Sequence, residues 1–164
     1  MKISLNDVQA SKKNRIDFDY YIDLSSETIG CEHPFKAPVH AVGYVADNNG
    51  VMVLKADVTA EVVIACSRCL APVKHEEAVE VSLVLSRGPE SEEADDVIFL
   101  ETDEADLDEI LASELILNME TVVLCSEDCK GLCPKCGKNL NEGDCGCDRR
   151  ELDPRLEKLR ELLK

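Results

Sequence analysis

Most of the chain's nine cysteines are crowded into one short stretch, CSEDCKGLCPKCGKNLNEGDCGC, which contributes Cys125, Cys129, Cys133, Cys136, Cys145 and Cys147. A further pair, Cys66 and Cys69, forms a C-x2-C far upstream, and Cys31 stands alone with no partner at ligand spacing. The eight clustered thiols match the ligand demand of two tetrahedral four-cysteine sites. Each such site fixes four chain positions around one point, so the cysteines limit the possible folds more than composition does.

Cys133-Pro134-Lys135-Cys136-Gly137 has the form of a metal knuckle. A two-residue spacer lets both sulfurs reach one ion, and the glycine can take the left-handed turn that aims backbone N–H groups at the thiolates. In Cys145-Gly146-Cys147 the glycine removes a Cβ that would crowd two neighbouring sulfurs. These four cysteines read as a local site 2. Cys66, Cys69, Cys125 and Cys129 then form site 1, which joins segments distant in sequence. The other partition groups Cys125, Cys129, Cys133 and Cys136, and leaves Cys66, Cys69, Cys145 and Cys147. Either way the expectation is two Zn2+ per chain. A closed four-thiolate shell leaves no position for water, so both sites are expected to be structural, with no catalytic residues. The spacing Cys129-x3-Cys133-x2-Cys136 also occurs in radical iron–sulfur enzymes that use S-adenosylmethionine, but this chain is too short for the barrel that chemistry needs.

The N-terminal stretch MKISLNDVQASKKNRIDFDYY has no apolar core of a secretory leader. No apolar run approaches the roughly 20 residues that span a bilayer. The chain is therefore expected in the cytoplasm, without a membrane partner, where clustered thiols bind metal more often than they pair as disulfides.

Along the chain, Ile16, Phe18, Tyr20, Ile22 and Leu24 alternate with mostly polar positions, the period of a half-buried strand. Met1 to Val8 reads as a shorter strand. Two valine-rich runs, 37–47 and 51–65, flank Asn48-Asn49-Gly50, a tight-hairpin signal. Val73 to Leu85 is another strand, so the Cys66–Cys69 pair sits at a tip between strands. Residues 86–96 read as an acidic loop and 97–100 as a short strand. A helix is expected near 106–118 and a second from Asp153 and Pro154 through Leu163, with the aspartate as N-cap and the proline in the first turn. The fold class is α+β: a curled antiparallel sheet or small β-barrel with two helices and a C-terminal cysteine-rich zinc module. The expected division is a β-rich domain, 1–124, and a module, 125–164, linked through Cys66 and Cys69.

The net charge of −16 is concentrated in the middle of the chain. Residues 76–129 hold one base, Arg87, against 18 acids, whereas residues 130–164 hold 9 bases and 7 acids. Such a middle repels phosphate and attracts basic proteins. Its plainer reading is a solvated acidic face. Glu90, Glu92, Glu93, Asp95 and Asp96 are the candidate partner-binding acids. Lys130, Lys135, Lys138, Arg149 and Arg150 are candidate RNA contacts, although Glu127, Asp128, Glu142, Asp144 and Asp148 offset them in number. His33, His40 and His75 have no motif around them and read as surface or strand residues. Neither a phosphate-binding glycine loop nor a nucleophile elbow is present, which argues against an enzyme.

CSRCLAPV at 66–73, the helix at 106–118, LCSEDCKGLCPKCGKNLNEGDCGC at 124–147 and DPRLEKLRELL at 153–163 occur in the order of the YceD family, the large ribosomal RNA subunit accumulation proteins, and the chain resembles that family. The resemblance implies a non-enzymatic role in ribosome biogenesis, in the accumulation or maturation of large-subunit (23S) rRNA. It also implies the first partition of the cysteines. Some family members lack the equivalent of Cys133 to Cys147, so Cys66, Cys69, Cys125 and Cys129 should form a complete site. The expected partner is a basic ribosomal protein or a large-subunit assembly intermediate, and direct RNA contact through the zinc module is the alternative.

Overall fold

The computed structural model describes residues 1–30, 32–87 and 96–148. In chain order these form β1 (Lys2–Ser4), α1 (Leu5–Ala10), β2 (Arg15–Ile22), β3 (Val39–Asn48), β4 (Val51–Ala65), β5 (Pro72–Arg87), β6 (Val97–Leu100), β7 (Glu104–Asp106) and α2 (Leu107–Asn118). The chain divides into two compact units, Met1–Ile64 with Lys74–Thr121, and Ala65–Val73 with Val122–Lys164.

In the first unit β2, β3, β4, β5 and β6 lie side by side in that order, and β1 pairs separately with β7. The β3–β4 connection is the hairpin that Asn49-Gly50 encodes. Asn48 pairs with Val51, and the two loop residues take φ of 57° and 91°, the positive values a tight hairpin turn requires. Side-chain alternation then sorts the faces. Phe18 and Ile22, Val39, Ala41 and Val45, the even positions of β4 from Met52 to Val62, and Val81, Leu83 and Leu85 are all buried. Leu5 and Val8 of α1 and Leu107, Leu111 and Leu115 of α2 join them in one apolar cluster.

Four sequence expectations are corrected here. The sheet is not a barrel, because β2 and β6 remain as its two edges. Nor is it wholly antiparallel: β6 runs parallel to β5, with Val84 opposite Val97 and Arg87 opposite Leu100. A four-residue apolar run carries no alternation that would reveal its direction. Met1–Val8 is not one strand, since only Lys2–Ser4 is extended before α1 begins. Leu5 and Val8, three apart, are both buried on one helical face. Starting a helix this short costs about 4 kcal/mol, and burying two aliphatic side chains returns about 1.5–3 kcal/mol each, so packing decides the outcome. Finally, Glu104–Asp106 forms β7, so α2 starts one residue later than the pattern indicates, at Leu107.

Asp106 caps α2, its carboxylate accepting a hydrogen bond from the Asp108 N–H at 3.2 Å. Met119 ends the helix in an extended conformation. Glu77, buried at the sheet's inner face, accepts from the Glu120 N–H at 3.2 Å and so ties down the residue after that end. The expected C-terminal helix lies outside the described residues. Among the described residues no helix is long and apolar enough to cross a membrane.

Gly43 lies opposite Ala56 in the β3–β4 pairing. A Cβ placed there would lie 2.2 Å from the Lys55 carbonyl oxygen and 2.7 Å from the Ala56 Cα. Both are backbone atoms, which move only if the strand pairing moves. Gly43→Ala is expected to lower the stability of the full chain by about 1–3 kcal/mol, the usual range for forced overpacking. Urea unfolding measures it, and an unchanged midpoint would contradict the close approach.

Candidate metal centres

The second unit is organised by two cysteine turns with the same backbone. In the first, the Cys66 N–H donates to the Ala71 carbonyl at 2.8 Å and the Leu70 N–H donates to the Cys66 carbonyl at 2.9 Å. In the second, the Cys133 N–H donates to the Lys138 carbonyl and the Gly137 N–H donates to the Cys133 carbonyl, both at 2.8 Å. The residue after the second cysteine is left-handed in each turn, Leu70 at φ 61° and Gly137 at φ 72°. This geometry directs backbone N–H groups at the first sulfur. The N–H groups of Cys69, Arg68 and Cys125 pull the Cys66 thiol down to about 6. Those of Cys136 and Lys135 do the same for Cys133, also to about 6.

The structure brings the cysteines into two groups: Cys66, Cys69, Cys125 and Cys129, and Cys133, Cys136, Cys145 and Cys147. Within each group the sulfurs all lie within 4.8 Å of one another. Cys66 and Cys129 sulfurs are 3.8 Å apart, and those of Cys69 and Cys125 are 3.5 Å apart. A tetrahedral ion with Zn–S bonds of about 2.3 Å requires sulfurs roughly 3.8 Å apart. The donor set and its spacing therefore fit a soft four-coordinate metal ion. In both groups thiols are also driven the other way, Cys69 and Cys125 in the first and Cys147 in the second. The Cys69 and Cys129 sulfurs and burial push Cys125 up to about 12, and the Cys136 and Cys145 sulfurs and burial do so for Cys147. Four sulfurs this close cannot all carry charge without a cation among them.

Surroundings distinguish the two groups. Cys66, Cys69 and Cys129 are buried together, with Ala71, Val73, Leu124 and Leu132 packed around them. In the other group Cys133 is buried, Cys136 is exposed, and Cys145 and Cys147 are half-buried. Two residues that the sequence reading passed over support the first group. The Arg68 guanidinium donates to the Cys129 carbonyl at 2.9 Å and to the Glu127 carbonyl at 3.3 Å. Asn141 lies between the knuckle and the Cys145–Cys147 pair. Its side-chain N–H2 donates to the Cys129 sulfur at 3.3 Å, and its side-chain oxygen accepts the Lys130 N–H at 2.8 Å. Asn141 is the first cause of the lowered Cys129 thiol. The only trace in the sequence is an asparagine inside a cysteine-rich loop, where such residues usually make turns.

The other candidate residues are not among these eight sulfur donors. Glu90, Glu92, Glu93 and Asp95, with Arg149, Arg150 and Cys31, are outside the described residues. Asp96 is exposed, and its carbonyl accepts the Val84 N–H at 2.8 Å. Lys130, Lys135 and Lys138 are exposed, and the Lys138 ammonium donates to the Asp144 carbonyl at 3.1 Å. His33 contacts the Glu27 carbonyl, His40 contacts Asp19, and His75 lies near Glu77 and Glu120.

The family model described as large ribosomal RNA subunit accumulation protein YceD matches residues 54–163, which include both groups of cysteines. The chain belongs to the YceD family. The family is described by a role in rRNA accumulation rather than by a reaction. YlbN of Bacillus subtilis is 26% identical across all of this chain and 97% of its own length. Rv2926c of Mycobacterium tuberculosis is 32% identical over 71% of this chain, which spans only 57% of that relative. A chloroplastic Arabidopsis thaliana protein named as a YCED homolog for large ribosomal RNA subunit accumulation is 38% identical over 32% of this chain and 16% of its own. No solved structure matches the chain.

Asn141→Ala removes the donor to Cys129 without touching a cysteine. The expected result is a 10- to 100-fold weaker hold on one metal ion, the usual cost of losing an outer-shell partner, with the other ion unaffected. Competition with a chromophoric chelator resolves the two release steps. Equal weakening of both steps would contradict the assignment of Asn141 to the first group alone.

Proposed function

We propose that this YceD-family chain is a non-enzymatic ribosome biogenesis factor, held together by two Zn2+ ions, that supports accumulation or maturation of 23S rRNA in the cytoplasm through a basic protein partner. The observation that carries this reading is the family match running through both cysteine groups. Cys66, Cys69, Cys125 and Cys129 would hold one ion, and Cys133, Cys136, Cys145 and Cys147 the other. In this reading zinc supplies cross-linking and charge neutralisation, and the closed shells leave no coordination position for a substrate. The division into a β-rich part, 1–124, and a zinc module, 125–164, is kept as part of the proposal, with the Cys66–Cys69 turn as the link.

The choice of a protein partner rests on charge. One base against 18 acids across residues 76–129 favours basic proteins and opposes phosphate. Direct RNA binding through Lys130, Lys135, Lys138, Arg149 and Arg150 is the second reading. It is the weaker one because acids of the same segment offset these bases.

Elemental analysis of protein purified without added metal is expected to give two zinc ions per chain, and Cys145→Ser should give one. Iron, or no metal with free thiols, would sink the zinc reading. For the partner, capture of purified large-subunit ribosomal proteins is compared with capture of a 23S rRNA fragment at two salt concentrations. Neutralising Glu90, Glu92, Glu93, Asp95 and Asp96 should weaken protein capture, chiefly by slowing association. Changing Lys135, Lys138, Arg149 and Arg150 to Gln should leave it unchanged. Salt-sensitive RNA binding lost only in the second variant would make this a zinc-dependent RNA-binding protein instead.

A further inference from the structure

The sheet of the first unit has a second face, and among the described residues of that unit no helix covers it. The same alternation that buries Phe18, Ala41, Leu54 and Val81 turns Asp17, Asp19, Tyr21, Val42, Lys55, Asp57 and Glu80 outward, all of them exposed. Strand register sets them in rows. Asp19 is opposite Val42, which is opposite Asp57, and Asp17 is opposite Tyr44, which is opposite Lys55. An open groove of about 670 Å3 follows this face across β2, β3, β4 and β5. Its lining carries two bases, Arg15 and Lys55, against four acids, Asp17, Asp19, Asp57 and Glu80.

The face already holds one guanidinium. Arg15 lies with its guanidinium carbon 3.6 Å from the centre of the Tyr44 ring, and it donates to Asp17 at 2.6 Å. An aromatic floor with a carboxylate beside it is a standard way to hold an arginine. His40 is held similarly, 2.7 Å from Asp19 and stacked on Tyr21 with ring centres 4.7 Å apart. Asp57 and Glu80 have no such cation among the described residues. Among the described residues neither is ion-paired, and Lys55 is the base of the lining that no carboxylate holds, leaving the groove with an excess of acid.

We infer that this bare sheet face is the docking surface for an extended, arginine- and lysine-rich protein segment, with Asp19, Asp57 and Glu80 taking its cations and Val42 and Tyr44 its aliphatic stems. Adjacent strands lie about 4.8 Å apart, so Asp19 and Asp57 are roughly 10 Å apart, three residues of an extended chain. A segment crossing the strands in the polyproline II form, whose side chains return to the same side every third residue at about 3.1 Å per residue, can therefore place a long basic side chain at each carboxylate. A nucleic acid strand would meet the same carboxylates with its phosphates, which like-charge repulsion opposes. The inference rests on the reading of this protein as a binder of a basic partner, and it assigns the binding to residues other than the acidic segment 90–96.

The test uses the full chain and a short fluorescein-labelled peptide of repeated Arg-Ser-Ser, with a citrulline version of the same peptide and a labelled single-stranded RNA as controls. Fluorescence anisotropy at two salt concentrations is the readout. The combined variant Asp19→Asn, Asp57→Asn, Glu80→Gln should lose about tenfold or more in peptide affinity, because charged rim pairs set both capture and specificity. A variant neutralised at Glu90, Glu92, Glu93, Asp95 and Asp96 should lose less than about threefold. All three face substitutions are at exposed positions, and thermal melting verifies that the variant is folded. Citrulline peptide should bind neither protein. If the face variant binds like the parent while the 90–96 variant fails, the docking surface is wrong and the basic-partner reading stands. The docking surface is also wrong if the parent ignores the peptide yet captures ribosomal proteins. If RNA binds and neither peptide nor ribosomal protein does, both fall.

Discussion

Cys66 and Cys69 meet Cys125 and Cys129 across nearly sixty residues of chain, a span that includes β5, β6, β7 and α2. Closing a loop of that length is costly in entropy, although the cost grows only slowly with length. Apolar packing alone offers little to offset it, since among the described residues the small cluster of Ala71, Val73, Leu124 and Leu132 is what packs against the sulfurs. A bound ion would change that balance, because metal affinity becomes folding energy wherever the site does not exist in the unfolded chain. The paucity of aromatic residues, 4% with no tryptophan, fits a protein whose cysteines supply what a larger core would otherwise provide.

How much the sequence reveals depends on whether a feature is periodic or local. The Asn49-Gly50 hairpin, the alternating strands and the α2 face are legible because their physical reasons lie within a few residues of each other. The spacing of the cysteines leaves two groupings in fours open, and the family resemblance implies the one whose sulfurs lie together. What escapes is pairing that depends on distant neighbours. Nothing in Val97–Leu100 says that it joins β5 in parallel, and nothing in Leu5–Ala10 says that its two buried residues will find a sheet. Asn141 escapes for the same reason. Its role comes from the position of Cys129, which only the folded turn defines.

The open sheet has a consequence for charge. In a closed barrel of this size the side chains of one face would fill the interior. Here, among the described residues, β2 and β6 each pair on one side only and the second face is exposed, so its acids are open to solvent and to partners. At −16 the chain already carries strong self-repulsion, which favours extended or partnered arrangements of its charged surfaces. A basic partner would relieve that repulsion as well as form contacts.

The two cysteine turns allow a comparison inside one molecule. Their backbones and hydrogen bonds match, yet the left-handed position is glycine in one and leucine in the other. A left-handed residue with a Cβ costs about 1–2 kcal/mol, a cost that glycine avoids. Leu70 recovers little of this by burial, because its side chain remains 65% exposed. The strain therefore persists only because the surroundings leave the turn no alternative. Those surroundings are the buried Cys66 sulfur with its N–H donors, the Ala71 carbonyl, and the Arg68 carbonyl that accepts the Leu132 N–H at 3.0 Å. Gly131 reinforces them, since any side chain there would place its Cβ 2.9 Å from that same Arg68 oxygen. The first turn thus keeps its shape through contacts from a distant part of the chain, whereas the second keeps it through its own glycine. This difference is what separates a site joining remote segments from one that folds locally.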